Sequence, residues 1–183
     1  VDAPDTKGNY IGSAYEYDGQ TFGDLLDVLN YIDASLSLAN AVAVAEKETD
    51  TTPTEKQKEA GNYKKGHVQV GTFNITIENP KGSVRSGIDT EGNKWETIMQ
   101  NTYGYIRGTE GVDGDHIDVF LSDDIDGWNG RRVFVVDQYN EDGSFDEHKV
   151  MLGFNETDDA EAAYFANYDS DWANNHKTVV TAV

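Results

Sequence analysis

The 183-residue sequence contains no cysteine. Disulfides, thiolate nucleophiles, iron–sulfur clusters and cysteine-ligated zinc are thereby excluded, and the redox compartment is left open. Basic residues are scarce: 14 Lys plus Arg stand against 34 Asp plus Glu, for a formal net charge of −20. A protein that grips a nucleic-acid backbone needs a basic face, and an anionic membrane surface asks for the same. Neither partner is expected. No apolar run approaches the ~18 residues that mark a bilayer-spanning helix. There are only three prolines, and no signal-like segment opens the chain. Its first residue is Val, so it reads as a mature product or a piece of a longer polypeptide. What it does have is 10 Tyr, 7 Phe and 3 Trp, enough large side chains for a modest core despite an apolar content of 37%. Length and composition together suggest one domain with an appendage.

The acids are unevenly placed. Residues 1–50 carry 10 acids and 2 bases, and 12 of the remaining 24 acids fall between Glu110 and Glu147. Dispersed carboxylates serve solubility, whereas clustered ones suit hard divalent cations.

Residues 1–20 show no period and read as extended or loop. Phe22, Leu25, Leu26, Leu29, Ile32, Leu36 and Ala43 recur at helical spacing, which predicts one helix from Thr21, as N-cap, to about Glu46. A polar linker around Pro53 follows, then a short helix over 54–60 capped by Thr54 and ended by Gly61. From Tyr63 the grammar is that of short strands: around Val68–Ile77, Val84–Ile88, Lys94–Met99, Ile117–Leu121, Arg132–Asp137 and His148–Phe154, with a last one over Thr178–Val183. Asp89–Asn93 reads as a hairpin turn, and Asp158–Tyr168 as a helix capped by Thr157 or Asn155. The expected fold is α+β, mainly β: a small OB-like barrel, closed or partly open, of about five to six strands, with a flanking C-terminal helix and an N-terminal helix. The expected boundary lies between a 1–52 extension and a 53–183 barrel domain. The N-terminal helix either packs on the barrel or meets a partner chain.

The sharpest stretch runs from Tyr103 to Phe120. Asp113, Asp115 and Asp118 stand within six positions around Gly114. In an extended segment Asp113 and Asp115 share a face, and Asp118 joins them only across a turn or bulge. Three such carboxylates repel unless a cation lies between them. Oxygen-only donors favour Mg²⁺ over zinc, since the chain has no His-x-x-x-His pair. Neither Asp126-Gly127 nor Asp142-Gly143 completes a Ca²⁺-binding EF-hand loop. A solvated turn is the competing reading of Asp-Gly-Asp by itself.

Tyr103-Gly-Tyr-Ile, a six-residue spacer and Asp113-Gly-Asp-x-Ile-Asp-Val resemble the signature of the soluble (family I) inorganic pyrophosphatases. Ile77-Glu78-Asn79-Pro80 is similar to that family's early Ile-Glu-x-Pro element. Arg85 stands where the family has a phosphate-binding Lys, and Asp142, Glu147 and Lys149 match its second acidic group and its phosphate-contacting Lys. Tyr168 resembles a late phosphate-contacting Tyr. Pro53 to His67 and Phe-Asp-Glu-His-Lys149 look like a divergent branch found inside phage and mobile-element polyproteins. The resemblance spans about residues 53–173. It implies Mg²⁺-dependent hydrolysis of a phosphoanhydride, foremost inorganic pyrophosphate, by direct attack of water, with two or more Mg²⁺. Asp113, Asp118, Asp142, Glu147, Asp146 and Glu78 would form the metal group. Asp115 would be the general base, and Tyr103 would donate to the substrate. Arg85, Lys149, Tyr168 and Lys94 would bind phosphate. It also implies a cytoplasmic or virion-associated protein, joined through the N-terminal helix to a second copy or to the rest of a parent polyprotein. The departures are His116 for a usual Pro, Gly87 for an active-site Glu and Asp169 for a Lys, with no clear match for the family's second phosphate-binding Arg. These thin the phosphate-binding charge. They leave a second expectation of another class, a catalytically weak or inactive structural module with the same fold.

Overall fold

A computed structural model describes residues 9–11, 14–88 and 92–183. Three short strands come first, β1 (Asn9–Ile11), β2 (Ala14–Tyr17) and β3 (Gln20–Phe22), paired as a small antiparallel sheet. Helices α1 (Leu25–Leu36), α2 (Leu38–Glu48) and α3 (Glu55–Ala60) follow. Then come strands β4 (His67–Val70), β5 (Phe73–Asn79), β6 (Val84–Ile88), β7 (Lys94–Ile98), β8 (Thr102–Ile106), β9 (Asp118–Leu121), β10 (Phe134–Tyr139) and β11 (Phe145–Leu152). Helices α4 (Thr157–Phe165) and α5 (Ser170–Asn175) and strand β12 (Thr178–Ala182) complete the chain.

Seven strands form one sheet in the order β12-β10-β11-β9-β8-β5-β4, and β6 and β7 form a separate hairpin. The fold is α+β, mainly β. Of the two expected forms the open one is found: among the described residues β4 and β12 are edge strands and do not pair with each other. The C-terminal strand β12 adds to the edge through β10. One pairing is parallel, β9 with β11, and it places Lys149 opposite Asp118.

Alternation along the strands divides the core in two. Val119 and Leu121 of β9, with Val150 and Leu152 of β11, join Val68, Val70, Ile75 and Ile77 under α2, whose Val42 and Ala45 belong to the same buried cluster. Phe120, Met151, Phe134, Val136 and Tyr103 join Ala160 and Tyr164 of α4 in the second cluster. Phe120 and Phe134 are fully buried, each worth about 1.5–3 kcal/mol relative to exposure. Asp118 has the parity of Phe120, Lys149 and Glu147 that of Met151, and Gln138 that of Phe134 and Val136. The second cluster therefore ends in a polar patch.

The predicted single helix over 21–46 is two helices. Thr21 lies in β3, and Asp24 Oδ1 accepts from the Asp27 N–H instead. Ser37 breaks the run: its backbone is extended and its side chain accepts from the Asn40 N–H, starting α2 afresh. Apolar spacing continues across the break, so periodicity could not show it. Residues 14–17 and 20, read as extended or loop, and Thr21 and Phe22, read as the start of the helix, pair as strands β2 and β3. Thr54 caps α3 as expected, in a reciprocal capping box with Gln57, and Gly61 ends it in the left-handed conformation at φ 62°. At α4 the N-cap position is Glu156, with no side-chain cap, rather than Thr157 or Asn155. Residues 89–91 of the expected hairpin turn lie outside the described residues, while β6 and β7 on either side pair antiparallel. No single helix among the described residues is long and apolar enough to cross a membrane.

Gly104, between the two tyrosines of Tyr-Gly-Tyr-Ile, has a packing reason. A Cβ there would lie 1.9 Å from the Thr76 carbonyl oxygen on the neighbouring strand. Gly104→Ala is expected to destabilise the fold by about 2–3 kcal/mol through forced overpacking, read as a lowered midpoint in urea; an unchanged midpoint contradicts this packing.

Candidate active site

Lys149 is the centre of the polar patch. Its residue is 2% exposed, and a cation so placed must be paired. Its Nζ lies 2.7 Å from Asp118 Oδ2 and 2.9 Å from Glu147 Oε1. Asp118 Oδ2 also accepts from the Tyr103 hydroxyl. That hydroxyl in turn accepts from Arg85 Nη2 at 3.0 Å. The Arg85 guanidinium packs on the Tyr103 ring, 4.4 Å from its centroid. Gln138 closes the other side: its Nε2 donates to Asp146 Oδ2 at 2.6 Å and to Glu147 Oε1 at 3.1 Å, and its Oε1 accepts from the Tyr164 hydroxyl at 2.7 Å.

Above this network opens a cleft of about 830 Å³. Arg85 and Trp95 line it from the β6–β7 hairpin, and Gln138, Glu147 and Lys149 from β10 and β11. Tyr168, Asp169, Trp172 and His176 close it from α5 and its flanks, and Asn140, Glu141 and Asp142 from the turn between β10 and β11. Two buried or half-buried cations thus face a rim rich in carboxylates.

Of the residues singled out by sequence, the structure gathers Arg85, Lys149, Tyr103, Asp118, Glu147 and Asp146 into one bonded network. Tyr168 and Asp142 line the cleft above it. Asp142 accepts from the Ser144 hydroxyl and N–H, which hold its carboxyl below the usual range. Asp113 and Asp115 are exposed on the loop between β8 and β9 and do not line the cleft. Asp113 Oδ1 accepts from the Asp115 N–H, and the Asp115 carbonyl accepts from the Gly111 N–H. Glu78 is paired with Lys65 at 2.5 Å, away from the cleft lining. Lys94 is exposed on β7, opposite Ile88, and does not line the cleft. His116 donates from Nδ1 to the Thr109 carbonyl, and His148 hydrogen-bonds Asp137.

Sequence reading missed Gln138, Trp95, Trp172 and His176. A signal existed for three of these four. Gln138 is a polar residue on the inward parity of Phe134 and Val136. Tyr168, Trp172 and His176 follow a four-residue spacing that stacks rings along one helical face.

Burial pushes the Tyr103 phenol well above its usual range, against the pull of Lys149 and Arg85. Burial likewise raises Tyr168, again opposed by Lys149 and Arg85. Burial pulls the Lys149 ammonium down, but Tyr103, Tyr168, Asp118 and Glu147 together leave it well above its usual 10.5. All three groups hold their protons in the fold at a pH where the unfolded chain releases them. The unfolded state then binds fewer protons, so stability must fall with pH. This contribution is intact below about pH 10 and is lost as pH rises through the raised values. Urea unfolding is expected to weaken progressively between about pH 9.5 and about pH 11; a flat unfolding free energy over that range contradicts the assignment.

A family model described as Inorganic Pyrophosphatase matches residues 55–183. Among solved structures, the chain is similar to the inorganic pyrophosphatase of Helicobacter pylori, at 20% identity over 58% of this chain and 80% of that one, with a TM-score of 0.34. It is similar to an inorganic phosphatase of Anaplasma phagocytophilum at 16% identity, over 64% and 82%, with a TM-score of 0.32. It is also similar to an inorganic pyrophosphatase of Coxiella burnetii at 18% identity, over 62% and 88%, with a TM-score of 0.32. No curated protein matches. With the family model matching well over half its length, the chain belongs to the inorganic pyrophosphatase family.

Proposed function

We propose that the chain is a Mg²⁺-dependent phosphoanhydride hydrolase, with inorganic pyrophosphate as its simplest substrate. The observation that carries the reading is the pair Arg85 and Lys149, joined through Tyr103 and Asp118 at the floor of one cleft. Arg offers a fork that matches two phosphate oxygens, and Lys a point charge. Both are held in place before any anion arrives, so little ordering entropy remains to be lost on binding.

Among the described residues, no three His, Asp or Glu side chains gather into a ready-made metal cage. Mg²⁺ asks for less, since it keeps waters and takes one or two carboxylates plus substrate phosphate. The hard oxygen donors of Glu147 and Asp142, which line the cleft, and of Asp118 and Asp146 in the network beneath it suit it in kind, with Asp113 on the neighbouring loop. When bound, Mg²⁺ supplies charge neutralisation at the phosphates and acidifies a coordinated water.

The chain's own residues then divide the work. Arg85 and Lys149 hold phosphoryl oxygens. Tyr103, neutral because it is buried, gives its hydroxyl proton to Asp118 in a hydrogen bond and keeps that carboxylate oriented beneath the cleft. Tyr168 presents a second neutral phenol at the cleft. Asp115 lies on the exposed loop between β8 and β9, outside the cleft lining, so the base role that the family resemblance implies for it requires that loop to reach the bound phosphate.

Phosphate release from pyrophosphate is expected with Mg²⁺ and not with excess chelator. Asp115→Asn is expected to lower kcat by about 10²-fold or more with the melting midpoint unchanged, the scale set by a lost general base. Full turnover in that variant removes Asp115 from the role. Absence of Mg²⁺-dependent release in the unmodified chain defeats the hydrolase reading and leaves a binding module.

A further inference from the structure

We propose that the cleft is built for a phosphoanhydride that carries a planar base, a nucleoside 5′-diphosphate, rather than for bare pyrophosphate. The inference rests on the phosphoanhydride reading above and adds the chemistry of the rest of the ligand.

Two phosphoryl groups have no apolar surface, yet much of this cleft is aromatic. Trp95 of β7 lines it and is 38% exposed. Its indole lies flat against Gly87, where a Cβ would stand 2.6 Å from Trp95 Cζ2. Gly87 is thus what lets the ring settle at that spot. Arg85 lies 5.3 Å from the same ring, so the anion-binding and aromatic groups adjoin. On the α5 side the rings are stacked on one another, so Trp172 presents an edge to the cleft and the free aromatic face is that of Trp95. Tyr168 stacks on Trp172 with centroids 3.9 Å apart and planes at 19°, and Trp172 stacks on His176 at 4.3 Å and 8°. His176 is held by its Nδ1 hydrogen bond to the Trp172 carbonyl. These rings line the same cleft and are fixed before a ligand arrives.

The cleft volume of about 830 Å³ lies in the range that encloses a drug-sized ligand. The charges agree. Only Arg85 and Lys149 are cationic among the lining residues, while Glu96, Glu141, Asp142 and Asp169 line its outer parts. Asp169 is committed to capping α5, where it accepts from the Trp172 N–H at 2.7 Å. Carboxylates at the rim repel any bare phosphoanhydride anion, but they accept hydrogen bonds from the ribose hydroxyls and exocyclic amines that only a nucleoside supplies. They also favour a ligand that arrives with its divalent cation. Base stacking on aromatic side chains is energetically substantial and tolerant of base identity.

In the corresponding reaction, the oxygen of water bonds to the terminal phosphorus and the bridging P–O bond breaks. Its electron pair stays on the nucleoside monophosphate oxygen. One proton of the water passes to solvent or to the leaving oxygen, and the other stays on the orthophosphate.

The test pairs two non-hydrolysable ligands that differ only in the nucleoside: methylenediphosphonate and adenosine 5′-(α,β-methylene)diphosphate. Binding to the full chain is measured by calorimetry and tryptophan fluorescence with Mg²⁺ present. The nucleoside-bearing ligand is expected to bind at least about tenfold more tightly and to quench tryptophan emission. Trp95→Ala is expected to shrink that ratio below threefold, and Trp95→Phe to keep most of it. Equal affinity of the two ligands for the unmodified chain overturns this inference and leaves the phosphoanhydride reading standing. Failure of both to bind overturns both.

Discussion

A buried lysine sets the terms for this molecule. Lys149 enters the sheet on β11 with the parity of Met151, so its stem packs among apolar neighbours while its ammonium must find negative charge. The parallel register of β9 against β11 brings Asp118 opposite it, and Glu147 reaches it from two positions back along the same strand. Removing either the register or the carboxylates would strand a charge out of water, which costs far more than an intact pair contributes. The pairing therefore selects a topology as much as it stabilises one. It also recruits the next shell: Tyr103 satisfies the second demand on Asp118, Arg85 rests on Tyr103, and Gln138 holds Glu147 beside Asp146.

The same network gives the site its chemical character. Buried tyrosines stay protonated because nothing nearby compensates a phenolate well enough to offset desolvation. Two cations are fixed against a low-dielectric floor, where an anion gains more than it would at the surface. The rim is acidic, which electrostatically disfavours an anion that comes without a cation. Gly87 and Asp169 replace charges that the family resemblance leads one to expect. Trp95 covers the first and the start of α5 uses the second.

Much of the fold was legible because it rests on local patterns. Val119 and Leu121 against Phe120 announced a strand with two different faces. Thr54 with Gln57, then Gly61, announced a short capped helix, and Pro53 the linker before it. The break at Ser37 was hidden, since Leu29, Ile32, Leu36 and Ala43 keep helical spacing whether or not the helix bends. Within the site, Asp118, Glu147, Lys149, Arg85 and Tyr103 could be named from spacing and resemblance, but their mutual bonds depend on strand register, which no short motif contains. The ties of Asp113 to the Asp115 N–H and of Glu78 to Lys65 were equally out of reach, because each depends on a loop path or a distant partner. The aromatic wall escaped notice for a different reason. Trp95 and Trp172 lie far apart in sequence and meet only across the cleft.

The central claim is that phosphoryl oxygens sit on Arg85 and Lys149 at the floor of this cleft. A crystal structure with Mg²⁺ and methylenediphosphonate tests it most directly. Phosphonate oxygens within hydrogen-bonding distance of the Arg85 guanidinium and Lys149 Nζ are predicted, whereas an analogue bound elsewhere, with the Lys149 ion pairs unchanged and solvent in the cleft, would contradict it.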